Sequence, residues 1–233
     1  MNSIIIGIVA KHNPKNTGCE KIYITDATKQ AIFDNGAIAI GILPTEDIVN
    51  YKGNDNKWND NLNEVEKENL ISQIKLCDGV ILQGGIEMDN YEFIIAKYCY
   101  ENNIPILGIC AGQNAIAKAL GGSTYKIPNP EEHNISRDYV HSIKIQENSK
   151  FYSIIGSKEI MVNSLHTNTI DKCPYLDKVG FCKDGYADVI ESKDKEFYIG
   201  VRFHPEDLYK KDDKINNIFK YFIETCKKLK MEK

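Results

Sequence analysis

The stretch "ILGICAGQNA", residues 106 to 115, sets one cysteine between two glycines, after an apolar run and before a helix-like one. Gly108-Ile109-Cys110-Ala111-Gly112 is a G-x-C-x-G form of the nucleophile elbow, where a strand turns sharply into a helix and lifts the central side chain above the sheet. Glycines stand at its flanks because a Cβ there would collide in so tight a turn. A thiol at a helix N-terminus meets unpaired N–H groups and the positive end of the helix dipole, which favour the thiolate. The backbone N–H of Ala111 can then face a developing oxyanion. The pentapeptide alone reads equally well as one more small buried thiol, since free cysteine is among the most buried residue types.

Its partners are offered by two other stretches. In "GVRFHPED", His204 and Glu206 are two residues apart in a strand-like segment, so both side chains point to one side, and Pro205 between them prevents a helix. An imidazole beside Cys110 could take its proton and later protonate a leaving amine, with Glu206 holding the ring in the right tautomer. On its own, H-P-E also fits a surface histidine and a solvated glutamate at a strand end. In "VILQGGIEMD" a strand closes in Gln83-Gly84-Gly85, on the same edge of a parallel sheet as Cys110, where open α/β sheets bind ligands. Two glycines there let a backbone N–H approach a substrate as the second oxyanion donor, or simply form an ordinary βα loop. All three stretches agree on one acyl-transfer site.

The elements that must position these residues alternate. Strand-like runs at Ile4–Val9, Ala37–Leu43, Gly79–Leu82 and Pro105–Ile109 are separated by helical patterns at Thr25–Asn35, Leu62–Leu76 and Tyr91–Asn102. This order predicts an α/β fold of three αβα layers, flavodoxin-like, with a mostly parallel sheet covered on both faces. Gly36 and the Gly121-Gly122 pair look like helix ends. The second half is β-rich: "YVHSIKI", "EIMVNSL", "DKVGFC", "YADVIES" and "FYIGVRF" are short strands that extend the sheet or form hairpins. A last helix carries Ile215, Ile218, Phe219, Phe222, Ile223, Cys226 and Leu229 as one apolar stripe. The polar segment Asn50–Asn63 is expected as a mobile surface loop, too short to divide two domains, so residues 1–233 are read as a single domain.

Composition narrows the partners. The 233 residues are 42% hydrophobic and 27% charged, enough to bury a core. A net charge of -4 provides no basic field for nucleic acid. The opening "SIIIGIVA" is too short for a membrane span or secretory segment. Seven scattered cysteines without a C-x-x-C pair read as reduced thiols in a cytoplasmic protein, and no metal motif is present. His12, His133 and His141 read as structural or surface histidines.

Several motifs run collinearly with a known family. "AIFDNGAIAIGILPTED", "LQGGIEMDNY", "GICAGQNAIAKALGGSTY", "YVHSIKI", "MVNSLHTNTI" and "YIGVRFHPE" follow one another in its order and spacing. They resemble the class I glutamine amidotransferase-like superfamily, and within it the γ-glutamyl-γ-aminobutyrate hydrolase branch, peptidase family C26. The resemblance implies Cys110 as nucleophile, His204 as base and Glu206 as acid, with Gly84, Gly85 and Ala111 lining the oxyanion site. It places His166 on the first histidine of the substrate loop, and Asn114, Asn163 and Ser164 near substrate; an Asn-Ser pair closing a strand is also common turn chemistry. The implied reaction is hydrolysis of a small γ-glutamyl amide through a glutamyl thioester, without cofactor or metal. The alternative is a glutaminase subunit delivering ammonia to a synthetase partner; a third reading is a binding module without activity. Oligomeric state is left open, a homo-oligomer included. The chain departs from the family pattern at Ile86, Asn114, Thr167, Asn168, Arg202 and Phe203, all positions expected to touch substrate or shape its pocket.

Overall fold

The near-continuous apolar runs of the first half pair side by side, as strands covered on both faces should. The computed structural model describes residues 3–12, 21–45, 62–85 and 90–232. Its strands are β1 (Ile5–Val9), β2 (Lys11–His12), β3 (Ile22–Tyr23), β4 (Ile38–Ile42), β5 (Gly79–Leu82), β6 (Ile106–Ile109), β7 (Ser123–Lys126), β8 (Asn134–Ile145), β9 (Glu159–Leu165), β10 (Asn168–Lys172), β11 (Asp177–Cys182), β12 (Ala187–Glu191) and β13 (Tyr198–Val201). The helices are α1 (Asp26–Asp34), α2 (Glu64–Lys75), α3 (Asn90–Glu101), α4 (Ala111–Ala119), α5 (Lys150–Ile155) and α6 (Asp213–Met231).

Nine strands form one sheet in the order β4-β1-β5-β6-β13-β12-β11-β8-β9. The run from β4 to β13 is parallel. From β13 to β9 every pairing is antiparallel. The β-rich second half therefore continues the first half's sheet, and two short ribbons, β10-β7 and β2-β3, lie outside it. Side-chain alternation divides the core between the faces: Val80 and Leu82 pack with α2, α3 and α4, while Ile81 faces the cluster that includes α1, α5 and α6. This is the expected three-layer α/β architecture.

Local chemistry sets the element ends. Asn63 and Glu66 form a reciprocal capping box, so α2 starts at Glu64, two residues after the sequence pattern suggests. Gly36 and Gly121 take positive φ, at 81° and 78°, as expected where α1 and α4 end. The stripe on α6 is buried from Ile215 to Cys226. One helix is unanticipated: α5 is a short turn capped by Ser149 and closed by Gly156 in the left-handed region. Among the described residues all six cysteines are free thiols, and no helix is long and apolar enough to cross a membrane. Cys19, Ile86 and the expected loop as far as position 61 lie outside the described residues.

Candidate active site

Three chain segments meet at the carboxyl ends of β5, β6 and β13, because these strands are parallel neighbours with β6 in the middle. Cys110 leaves β6 with φ 51° and ψ -103°, a conformation costly for a residue with a Cβ, and α4 begins at the next residue. This is the elbow that the sequence predicts. Its backbone N–H donates to the Val201 carbonyl at 2.8 Å, which fastens the turn to the end of β13. Close approach explains the flanking glycines. A Cβ on Gly108 would lie 2.6 Å from the Gly112 carbonyl oxygen, and one on Gly112 would overlap the Leu82 carbonyl of β5.

Past Val201 the chain delivers Arg202, Phe203 and His204 beside the elbow. His204 Nδ1 lies 2.7 Å from Glu206 Oε1, and both side chains are buried. Glu206 occupies that nitrogen, so Nε2 is the ring atom left to serve the sulfur. Burial alone would raise the Cys110 thiol, but the His204 hydrogen bond and charge, with the Arg202 charge, hold it below its ordinary value. Burial likewise opposes charge on His204, yet the Glu206 carboxylate and the Cys110 contact raise the imidazole well above its usual range. Both shifts run in the direction that favours a thiolate beside an imidazolium. Gly84 brings the third segment into contact, since a Cβ there would sit 2.5 Å from His204 Cε1 and 3.5 Å from Cys110 Cβ.

A cavity of about 270 Å³ opens over Cys110, with Gly85, Ala111, Asn114, Leu165, His166 and Arg202 in its wall. Arg202 is 1% exposed. One of its terminal nitrogens donates to Asn114 Oδ1 at 2.7 Å, while its Nε has no partner among the described residues. A buried guanidinium with a donor to spare gives the cavity a positive wall that suits an anionic group. His166 lies 3.1 Å from the Asn168 carbonyl through Nδ1, and burial above all, with the Arg202 charge, depresses its pKa to about 2.

Cys110, His204, Glu206, Gly84, Gly85, Ala111, Asn114 and His166 are thus brought together. Asn163 and Ser164 are not at the cavity. The Asn163 amide clamps the main chain of His204, accepting from its N–H at 2.7 Å and donating to its carbonyl at 3.0 Å. Ser164 Oγ donates to the His133 carbonyl at 2.6 Å. Both polar groups are already spent on backbone, which corrects the expectation that they face substrate. Asn134, which also lines the cavity, carries no sequence signal; it arrives because β8 pairs Asn134 with Leu165. His204, Glu206 and Asp207 come within metal-ligand reach of one another. Glu206 is engaged by His204 and Asp207 by Arg137 at 2.7 Å, so the group reads as a hydrogen-bond relay.

The Peptidase C26 family model matches residues 85–206. This chain belongs to that family. It is 27% identical over 175 residues to a CTP synthase of Chlamydia abortus, covering 60% of this chain and 33% of that protein; the chain thus spans about a third of the length of this curated relative. A glutamine amidotransferase from Thermotoga maritima superposes over 100% of both chains with a TM-score of 0.60 at 16% identity. The glutaminase domain of Trypanosoma brucei CTP synthase, solved with bound acivicin, superposes over 97% of this chain and 94% of that one, with a TM-score of 0.65 at 14% identity. At such identities the two superpositions establish a glutamine amidotransferase-like fold.

Proposed function

We propose that this member of the Peptidase C26 family hydrolyses a small γ-glutamyl amide, using Cys110 as nucleophile, His204 as acid and base, and Glu206 to hold the imidazole. The thiolate attacks the γ-carbonyl carbon, and the carbonyl oxygen takes up negative charge beside the Ala111 and Gly85 backbone. Collapse breaks the C–N bond as the His204 imidazolium protonates the departing amine. The neutral imidazole then takes a proton from water, whose oxygen displaces the sulfur from the thioester and releases glutamate. The carrying observation is the buried His204–Glu206 pair beside Cys110, at a cavity whose wall holds an arginine. Arg202 suits the α-carboxylate of a glutamyl group.

The test is a panel of glutamine, γ-glutamyl-aminobutyrate and γ-glutamyl peptides assayed for released glutamate. Wild type is expected to turn over at least one, and Cys110→Ala none. An inert wild type overturns the stand-alone reading. A second reading is favoured by the match to one third of a CTP synthase: the chain would supply ammonia to a separate synthetase. In that case glutamine turnover is weak alone and rises when a partner is added.

A further inference from the structure

Behind the cavity, on the antiparallel half of the sheet, lies a second convergence of side chains that the proposed reaction does not use. β12, β11 and β8 are consecutive neighbours, and they bring Asp188, Cys182 and His141 together with all three ligand atoms within 4.8 Å of one another. His141 Nε2 is 3.3 Å from Asp188 Oδ2. The other carboxylate oxygen, Oδ1, faces His166 Nε2 at 3.9 Å. Asp188 is 1% exposed, Cys182 5% and His166 5%.

The hydrogen positions make this arrangement incomplete. His166 Nδ1 lies 3.1 Å from the Asn168 carbonyl, which can only accept, so Nδ1 carries the hydrogen. His166 Nε2 then faces a carboxylate oxygen of Asp188 from 3.9 Å, beyond hydrogen-bond reach. Neither His166 Nε2 nor Asp188 Oδ1 has a hydrogen-bond partner among the described residues. Two buried polar atoms that face each other without a hydrogen bond leave a gap that a cation coordinated by both would fill. An imidazole whose other N–H is fixed on a backbone carbonyl has the tautomer and orientation typical of a metal ligand.

We propose that His141, Cys182, Asp188 and His166 form a binding site for a divalent transition metal of the zinc class. Two imidazoles, a thiol and a carboxylate make a borderline-soft donor set of four, the number a closed zinc site uses, and they disfavour magnesium and calcium. The four residues lie on neighbouring strands and the loop after β9, with no fixed spacing in the chain, so no sequence motif announces them. Bound there, the ion would tie three antiparallel strands to His166 in the cavity wall. The proposal concerns this cluster alone and does not depend on the reaction above.

The test uses the full chain stripped with a chelator and titrated with Co²⁺. Binding is expected to produce a near-ultraviolet thiolate-to-cobalt charge-transfer band with visible bands of a four-coordinate ion, both bleached by added Zn²⁺. Cys110→Ser should keep the charge-transfer band and Cys182→Ser should lose it. Zn²⁺ at about a hundredfold above its Kd should raise Tm by roughly 5–10 °C in wild type. Should Cys182→Ser fail to fold, His141→Asn replaces it, with an expected loss of at least tenfold in Co²⁺ affinity. The proposal is overturned if wild type gives no charge-transfer band, if the band disappears in Cys110→Ser, or if His141→Asn binds Co²⁺ as wild type does.

Discussion

The sulfur of Cys110 is the group on which two opposing effects meet. Burial penalises the thiolate, and charged neighbours reverse the sign: His204, with the Arg202 charge, outweighs the penalty. Burial pushes Cys77, for example, up to about 12. Because the Cys110 pKa is lowered, its thiolate persists as pH falls through the ordinary thiol range and is protonated only below the depressed value. Iodoacetamide labelling of Cys110 should therefore remain fast at neutral pH, while Cys77 stays slow. In His204→Gln the midpoint of the Cys110 labelling curve should move upward. A wild-type Cys110 that labels no faster at neutral pH than a thiol in the denatured chain would sink the activated-nucleophile reading. Asn163 acts one step removed, through the main chain of His204. Asn163→Ala should leave a buried N–H and carbonyl without their partner, costing about 1–3 kcal/mol of stability. Displacement of the ring should lower kcat on the order of 100-fold with KM nearly unchanged, which steady-state kinetics on the turned-over substrate would measure.

At the level of elements, the site is assembled by strand ends, and its tolerances are those of backbone contact. Gly84 illustrates this: the His204 ring occupies the space that a side chain would need. Gly84→Ala should cost about 1–3 kcal/mol by crowding, and lower kcat by a larger factor than its stability loss explains, because the ring must shift away from Cys110. Kinetics paired with denaturant unfolding separate the two effects. These strand ends were largely legible in the sequence. Short apolar runs flanked by glycine gave β5 and β6 to within a residue, and the single-stripe pattern gave α6. What escaped was set by tertiary partners. β8 begins at Asn134, five residues before the "YVHSIKI" pattern, because its first part is held by pairing with Ser164 and Leu165. Asn163 could not be assigned from type and position, since the same Asn next to a strand end serves a substrate or a backbone equally well. His141, read as an unremarkable structural or surface histidine, meets Asp188 only because β8, β11 and β12 become neighbours.

Across the whole molecule, a single sheet joins a parallel half that carries the nucleophile to an antiparallel half that carries much of the cavity wall, so site geometry depends on how firmly the layers are fixed. Among the fixings is a buried ion pair. Lys11, just past β1, reaches Glu92 on α3 at 2.8 Å, with side chains 2% and 0% exposed. Its aliphatic stem occupies the space beside Gly85, where a Cβ would meet it, so the pair also props the loop that lines the cavity. Removing one member leaves the other's charge buried, which costs more than the pair contributes. Lys11→Met should therefore destabilise by about 3–5 kcal/mol, or roughly 6–20 °C in Tm for a chain of this size, and lower activity through the Gly85 loop. The double variant Lys11→Met/Glu92→Leu removes both charges and should recover most of the lost Tm. Thermal unfolding of the three variants measures this directly: a double variant no more stable than Lys11→Met would mean that the stem, and not the broken ion pair, accounts for the loss.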